Sequence, residues 1–175
     1  MAAADRFDIH IEGQGTHAAM PHYGFDPVLV GAQIVTMLQS LVSRRTDPMG
    51  QAVVSTTIFQ SGSAFNVIPR DARLGGTVRT FDPAVQDMIE REMTQIAENV
   101  ASAMGAKATV SYARGYPATI NSDAEAAFAA QVAAGLLGTE NVITNADPCM
   151  GAEDFSYMLQ ERPGCYIWLG QKDED

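Results

Sequence analysis

Two Asp-Pro pairs, Asp26-Pro27 and Asp82-Pro83, each stand directly before a stretch in which apolar residues recur every three or four positions. An Asp at a helix start accepts hydrogen bonds from free backbone N–H groups, and a Pro at the first helical position gives up no hydrogen bond. The recurrence is the period of an amphipathic helix. We therefore predict helices from about Asp26 to Ser43 and from Asp82 to Gly105. The apolar stripe predicted to lie on a sheet in the first helix is Val28, Ala32, Val35, Leu38 and Val42.

Four other stretches have the composition of strands, and the first alternates apolar with polar residues. They are residues 6–12, 52–60, 73–80 and 107–113. With the helices, the order along the chain is β-α-β-β-α-β. This order predicts an α+β, ferredoxin-like domain in which two helices cover one face of a four-stranded antiparallel sheet. Gly75 and Gly76, inside the third strand, indicate a bulge or a close approach of the backbone.

A loop at residues 13–24 contains His17 and His22, two of the three histidines, between the first strand and the first helix. The stretch 13–18 matches the glycine fingerprint of dinucleotide-binding loops, which requires a helix to begin in its second half. Pro21, Gly24 and Pro27 postpone the helix, so the sequence argues against a dinucleotide site. A second loop, at residues 61–71, is long enough to favour a functional role.

The pattern changes near residues 114–117, where we place a domain boundary. Ser122 to Glu125 form a capping box that predicts a helix to about Leu137, closed by Gly138. A loop, a short helix and an apolar strand at Cys165–Leu169 follow, which suggests part of an α/β sheet. About 60 residues cannot bury both faces of such a sheet, so we expect further chain before residue 1, after residue 175, or both.

The net charge of −10 disfavours nucleic acid and anionic membrane surfaces as partners. Cys149 and Cys165 form no C-x-x-C pair, and we interpret them as reduced, small buried residues of a cytoplasmic protein. No run approaches 18 apolar residues, which a membrane-spanning helix requires.

Five motifs, in chain order, resemble the signatures of the M20 metallopeptidase family, in its amidohydrolase branch of hippurate and N-acyl-amino-acid hydrolases. The motifs are Gly15 to His22, Asp26-Pro27, Asn66 to Pro69, Gly76 to Thr80 and Gly151 to Phe155. The resemblance implies that residues 1–115 form the lid, or dimerisation, domain. It implies that residues 116–175 are a partial catalytic domain of the α/β, zinc-peptidase-like type.

The resemblance also implies roles for individual residues. His17 matches the lid histidine that donates a hydrogen bond to the tetrahedral oxyanion, often across a dimer. The residues that match substrate-binding positions are Asn66 at the scissile amide, Arg79 at the substrate carboxylate, and His22, Gly151 and Glu153 in the pocket.

Plainer interpretations of the same residues remain open. His17 and His22 would then cap backbone groups of a turn, and Arg79 would pair with a structural acid. Glu153 would stabilise the start of the short helix. His10, on the polar side of a strand, is expected to be solvated.

The family binds two divalent metal ions, zinc or manganese, through segments that have no counterpart in this sequence. The resemblance therefore implies a fragment of a metal-dependent hydrolase of small N-acyl amino acids that forms a homodimer through its lid. We expect these 175 residues alone to bind no metal pair and to be inactive. The alternative is a free-standing ferredoxin-like module that only dimerises or binds a small ligand.

Overall fold

The structure is a computed structural model that describes residues 1–170. The chain divides into two compact units. We call residues 3–115 the larger unit, and residues 1–2 together with those from 116 onward the smaller unit. The last five residues of the predicted segment 116–175 lie outside the described part of the chain.

The larger unit contains six strands and two α-helices. They are β1 (Ala3–Glu12), β2 (Thr16–His17), α1 (Pro27–Ser40), β3 (Ala52–Ser61), β4 (Val67–Ile68), β5 (Asp71–Thr80), α2 (Pro83–Ala103) and β6 (Lys107–Tyr116). A 3₁₀ turn at Pro21–Tyr23 precedes α1, and a π-helical turn at Leu41–Arg45 follows it.

The four long strands form one sheet in the order β3-β5-β1-β6, and β5 pairs antiparallel with both β1 and β3. Residues of β1 alternate between buried and more exposed positions, with Phe7, Ile9 and Ile11 in the core. The buried residues of α1 and α2 pack in the same core. The ferredoxin-like prediction is therefore confirmed.

Both predicted helix starts are confirmed at the level of hydrogen bonds. Asp26 Oδ1 accepts from the Val28 N–H at 2.9 Å, and Asp82 Oδ1 accepts from the Ala84 N–H at 2.8 Å. In each case the following proline occupies the first turn. The interaction needs only these local residues, which explains why the sequence alone identifies it.

The predicted stripe of α1 is wrong in part. The residues that α1 buries are Pro27, Val30, Gly31, Ile34 and Leu38. Of the predicted set only Leu38 is fully buried, whereas Val28 and Ala32 are exposed. Apolar residues cover most of the circumference of α1, so periodicity could not select the face that the sheet covers.

Gly76 on β5 allows the backbone of β3 to approach closely. The two glycines inside a predicted strand had indicated a bulge or a close approach of this kind. A Cβ atom at Gly76 would overlap the carbonyl oxygen of Ser55 and the ring of Phe7. The register of β3 against β5 shifts between Thr56 and Ile58, opposite the two glycines, so β3 carries the bulge. The absence of a side chain at Gly76 thus makes room for Phe7 in the core.

A buried carboxylate joins three elements of the larger unit. Asp5 is 1% exposed, and its Oδ2 accepts from Gln86 Nε2 and from the Tyr112 hydroxyl, each at 2.7 Å. Its Oδ1 accepts from the Gly115 N–H at 3.1 Å. Buried carboxylates are stable only when they are hydrogen-bonded, and this one holds β1, α2 and the end of β6 together.

The smaller unit contains α3 (Asp123–Leu137), a 3₁₀ turn at Thr139–Asn141 and α4 (Phe155–Glu161). The helix from Asp123 and its end at Gly138, where φ is +87°, agree with the prediction. The capping box does not form. The Ser122 hydroxyl instead accepts from the Gly164 N–H at 3.2 Å, while the Ser122 N–H donates to the Gly164 carbonyl at 2.9 Å.

Two further predictions for the smaller unit are corrected. Residues 165–169 are not a strand, because no other strand among the described residues lies beside them to form a ladder. The cysteines are free but are not core residues: Cys149 is exposed and Cys165 is half-buried. Both lie in irregular segments of a unit that encloses little apolar volume. No helix in residues 1–170 has the length and apolarity needed to cross a membrane.

Candidate functional site

The loop that carries His17 is closed at its base by paired backbone hydrogen bonds. The Gln14 N–H donates to the Phe25 carbonyl at 2.9 Å, and the Phe25 N–H donates to the Gln14 carbonyl at 3.1 Å. At Gly24 any Cβ atom would overlap the Gln14 carbonyl, so glycine is needed for this approach. The base of the loop is therefore a rigid support for the exposed residues between.

His17 and Asn66 lie next to each other because the two long loops pair. Strand β2 pairs antiparallel with β4, with His17 opposite Val67. The Ala18 N–H donates to the Asn66 carbonyl at 2.9 Å. Two of the predicted site residues, 49 positions apart in the sequence, are thus neighbours on one exposed edge.

The hydrogen bonding of the His17 ring defines which nitrogen is available. The Ala19 N–H donates to Nδ1 of His17 at 3.1 Å. Nδ1 therefore acts as an acceptor, and the proton of the neutral ring resides on Nε2. The expectation that His17 caps a backbone group is realised by Nδ1, while Nε2–H is presented as a donor on an exposed side chain.

His22 lies in the 3₁₀ turn and has a different environment. Its ring centroid is 4.0 Å from that of Tyr23, with an interplanar angle of 45°. The side chain is exposed, and none of the described hydrogen bonds joins it to His17 or Asn66. The structure thus joins His17 and Asn66 by strand pairing, while His22 lies in the adjoining 3₁₀ turn of the same loop.

Arg79 lies at the opposite end of the sheet. On β5, Asp71 pairs with Glu12 near the His17 loop, whereas Arg79 pairs with Ala4. Eight residues of strand separate the two ends, a distance of roughly 26 Å at about 3.3 Å per residue. One copy of the larger unit therefore cannot present His17 and Arg79 to the same small molecule.

The guanidinium of Arg79 is half-buried and is held by its own strand. Nη1 donates to the Thr77 hydroxyl at 2.5 Å and to the Val78 carbonyl at 3.2 Å. Within residues 1–170 no ion pair involves Arg79. The structural-acid interpretation of Arg79 thus has no support in this part of the chain.

Gly151 and Glu153 belong to the smaller unit. The Gly151 carbonyl accepts from the Ala2 N–H at 2.9 Å, and the Glu153 carbonyl accepts from the Ser156 hydroxyl at 2.7 Å. Partial burial of the Tyr166 phenol, and then the negative charge of the Glu153 carboxylate, raise the pKa of Tyr166. The Glu153 carboxylate thus acts on Tyr166, and its stabilisation of the start of α4 stays a prediction.

Exposed apolar residues adjoin His17 and Asn66 in the two paired loops, and the sequence analysis missed them. Phe65 is fully exposed, and Met20 and Val67 are each 50% exposed. Phe65 directly precedes Asn66, so an aromatic residue beside a polar site residue in a long loop was the available signal. Mostly apolar walls with a few polar groups are typical of sites for small molecules.

The residues present do not fit a metal pair. Among residues 1–170 no group of three or more His, Cys, Asp and Glu side chains is arranged to hold a metal ion. A binuclear hydrolytic centre needs several such ligands converging on two ions.

Comparison with known proteins places this chain in a family. Residues 4–104 match the family model for the peptidase dimerisation domain of M20 peptidases. The chain belongs to the M20 metallopeptidase family.

Individual relatives agree with this assignment. The protein YhaA of Bacillus subtilis is 42% identical over 99% of this chain and 44% of its own length. The hippurate hydrolase of Campylobacter jejuni is 32% identical over 99% of this chain and 45% of its own length. Among solved structures, the YXEP protein of Bacillus subtilis, a dinuclear metal-binding M20 peptidase, superposes with a TM-score of 0.71 and 34% identity. That match covers 94% of this chain and 39% of the YXEP chain. The chain thus spans less than half the length of these relatives.

Proposed function

We propose that the chain supplies the lid and part of the catalytic domain of a metal-dependent amidohydrolase that cleaves the amide bond of N-acyl amino acids. Hippurate hydrolase, a relative, is named for a substrate of this class. The observation that carries the proposal is the His17 ring, whose Nδ1 accepts from the Ala19 N–H so that the neutral ring has Nε2–H as its donor. Amide hydrolysis needs such a donor at the oxyanion.

In this proposal each residue has one task. His17 Nε2–H donates to the oxygen that becomes negative as the amide carbon turns tetrahedral. The side-chain amide of Asn66, held beside His17 by the β2–β4 pairing, orients the scissile amide. Arg79 binds the substrate carboxylate with its two-pronged guanidinium. Glu153, Gly151 and His22 belong to the walls of the pocket.

The separation of roughly 26 Å along β5 between the His17 end and the Arg79 end supports a site built from two copies of the chain. One copy would supply Arg79, and its partner would supply His17 and Asn66. The match of residues 4–104 to a dimerisation domain favours the same arrangement. Exposed apolar residues of α1, among them Val28, Leu29 and Met37, favour association through the larger unit.

The rest of the proposal concerns the setting of the reaction. Residues 116–175 would act as a partial catalytic domain, and the metal ligands would come from chain that this sequence does not contain. The free thiols of Cys149 and Cys165 favour the reducing environment of the cytoplasm.

The test is a chimera in which this chain replaces the matched segment of the Campylobacter jejuni hippurate hydrolase. With zinc or manganese added, the chimera is expected to release glycine from hippurate, whereas the isolated chain is expected to release none. A folded, metal-loaded chimera that cleaves neither hippurate nor other N-acyl amino acids would favour a module that only associates or binds ligands.

A further inference from the structure

Thr77 and Arg79 lie side by side on the face of the sheet that the helices leave uncovered, which we call the open sheet face. Val78, between them on β5, is fully buried, and alternate residues of a strand point to opposite faces. Arg73 and the residue paired with it, His10, lie on the same open face. Thr77 is therefore the neighbour of Arg79 along this face of β5.

The hydrogen bonds of the Thr77 hydroxyl fix its role toward Arg79. The hydroxyl donates to the Asp5 carbonyl at 2.9 Å, across the β1–β5 pair. Because its single proton is used there, it meets the guanidinium as an acceptor, and Arg79 Nη1 donates to it at 2.5 Å. Asp5 is itself fixed, since its carboxylate accepts from Gln86 and Tyr112. A chain of hydrogen bonds thus connects the guanidinium to the core of the larger unit.

The contacts of Arg79 within β5 occupy one nitrogen of its guanidinium. Besides the Thr77 hydroxyl, the Val78 carbonyl accepts from Nη1 at 3.2 Å, and two acceptors match the two hydrogens of this nitrogen. In the described part of the chain, no hydrogen bond or ion pair occupies Nε or Nη2 of Arg79. The N–H groups of Nε and Nη2 form one edge of the guanidinium, and two such parallel donors fit the two oxygens of a carboxylate.

The same edge of another arginine already binds a carboxylate in this chain. Arg45 donates from Nε to Oε2 of Glu92 at 2.6 Å and from Nη2 to Oε1 of Glu92 at 2.7 Å. These hydrogen bonds lower the pKa of Glu92. The Arg45–Glu92 pair therefore shows the two-pronged contact for which Arg79 has its donors left over.

We propose that Thr77 is a positioning residue for substrate recognition. By holding Nη1, it presents the Nε–Nη2 edge of Arg79 to the carboxylate of an N-acyl amino acid. The inference rests on the proposed function, in which Arg79 binds that carboxylate. A guanidinium that is fixed before binding does not have to be ordered by the substrate, so the contact with Thr77 strengthens binding. A carboxamide has only one acceptor oxygen and cannot satisfy both donors of the edge.

The first experiment measures kinetics of the Campylobacter jejuni hippurate hydrolase chimera with Thr77→Val, because valine keeps the branched shape of threonine without the hydroxyl. The KM for hippurate should rise about tenfold, with kcat changed by less than about twofold. The KM for the carboxamide of hippurate should not change.

Two further variants serve as controls for the kinetics. Thr77→Ser retains the hydroxyl and should keep the KM for hippurate within about twofold of the wild-type value. Thr109→Val removes an exposed hydroxyl from β6, near His10 and Arg73 and away from Arg79, and should change neither constant.

The second experiment needs no hydrolysis. In the full chain with isotopically labelled arginine, NMR measures rotation about the Cζ–Nη1 bond of Arg79, whose signals are those that Arg79→Ala removes. The rotation should be at least about tenfold slower in the wild type than in Thr77→Val, because the bond to the hydroxyl must break first. Hippurate added to the metal-free chimera should shift the Nε and Nη2 signals of Arg79 more than those of Nη1.

Three results would overturn the proposal. They are equally fast rotation of Nη1 in the wild type and in Thr77→Val, an unchanged KM for hippurate in Thr77→Val, and an equal rise in KM for hippurate and its carboxamide. Melting temperatures establish that each variant is folded, and Thr77→Ala, with the same expectations, replaces Thr77→Val if the latter does not fold.

Failure of the proposed function would give a different pattern. Arg79→Ala would then leave the KM for hippurate unchanged, while slow rotation of Nη1 would still depend on Thr77. That pair of results would confirm the hold of Thr77 on Arg79 and would count against the binding of the substrate carboxylate by Arg79.

Discussion

The hydroxyl of Tyr112 on β6 donates a hydrogen bond of 2.7 Å to Oδ2 of Asp5 on β1, whose side chain is buried. Gln86 and the backbone of Gly115 donate to the same carboxylate. Burial, and then the hydrogen bond to Asp5, raise the pKa of Tyr112. This pair therefore links β1 and β6, the strands at the two ends of the larger unit's sequence.

Tyr112→Phe removes one of the three donors to the Asp5 carboxylate. We expect the free energy of unfolding of the larger unit to fall by about 1–2 kcal/mol, because a hydrogen bond to a buried charge is lost while two donors remain. Urea unfolding at pH 7 measures the change. Tyr23→Phe, which alters an exposed tyrosine of the loop, should change stability by less than about 0.5 kcal/mol.

The same substitution has a predicted pH dependence. In the unfolded chain Tyr112 loses its proton near its ordinary pKa of about 10, whereas the folded chain keeps the proton to higher pH. Above pH 10 the unfolded state thus binds fewer protons than the folded state. The stabilisation by the protonated Tyr112 is therefore complete below pH 10 and declines as the pH rises further. The stability difference between wild type and Tyr112→Phe should therefore shrink between about pH 9.5 and 11. A difference that stayed constant or grew would contradict the assignment.

Gly76→Ala should destabilise the larger unit by roughly 3 kcal/mol, because the added methyl group overlaps the Ser55 carbonyl and the Phe7 ring. Denaturant unfolding followed by circular dichroism measures the loss. Gly135→Ala is the matched control, since a Cβ atom there meets nothing within 4 Å. It lies in α3 and should stabilise that helix by about 0.5–1 kcal/mol.

His17→Ala, made in the hippurate hydrolase chimera, should lower kcat about 100-fold with a smaller change in KM, because an oxyanion donor acts mainly in the transition state. Initial rates over a range of hippurate concentrations give both constants. His10→Ala removes an exposed histidine from the open sheet face and should leave both constants unchanged. An unaltered kcat in His17→Ala would leave the His17 ring with only its turn-capping role.

Arg79→Ala should mainly raise KM for substrates that have a free carboxylate, because the guanidinium is proposed to bind that group. The comparison is between hippurate and its carboxamide. Equal losses for both substrates would show that Arg79 does not recognise the carboxylate.

Co-expression of the His17→Ala and Arg79→Ala chimeras tests whether the two residues come from different copies. If they do, each mixed dimer contains one intact site, and about one quarter of all sites in a random mixture are intact. At hippurate concentrations well below the KM of Arg79→Ala, the mixture should then be far more active than either variant alone. Activity no higher than the mean of the two variants would place both residues in the same copy.

Much of the larger unit could be predicted from sequence because its signals are local. The Asp26 and Asp82 caps need residues only two positions away, and alternation along β1 reports the one buried face of the sheet. His17 and Asn66 were identified by resemblance, but their proximity depends on the pairing of β2 with β4. That pairing joins loops 49 residues apart, which no local pattern reveals.

The sequence predictions that are wrong concern features set by contacts between residues far apart in the sequence. The Ser122 hydroxyl could accept from an N–H group at the start of α3 or from a distant donor. It accepts from the N–H of Gly164, 42 residues away. Asp5 precedes the predicted first strand, and its side-chain donors come from α2 and β6, which are far from it in the sequence. A face or partner that is set by tertiary packing cannot be read from periodicity alone.

The two ends of the larger unit meet at one point. The carbonyl of Ala4 lies against Gly115 so closely that a side chain at Gly115 would overlap it, and the Gly115 N–H is bonded to Asp5. The larger unit has more than a hundred residues, yet its first and last residues lie as close together as two paired strands. A host protein could gain or lose it at a single surface turn without moving its own backbone. Such a segment could be exchanged between host proteins as a cassette, and its exposed loops could then vary independently of the host.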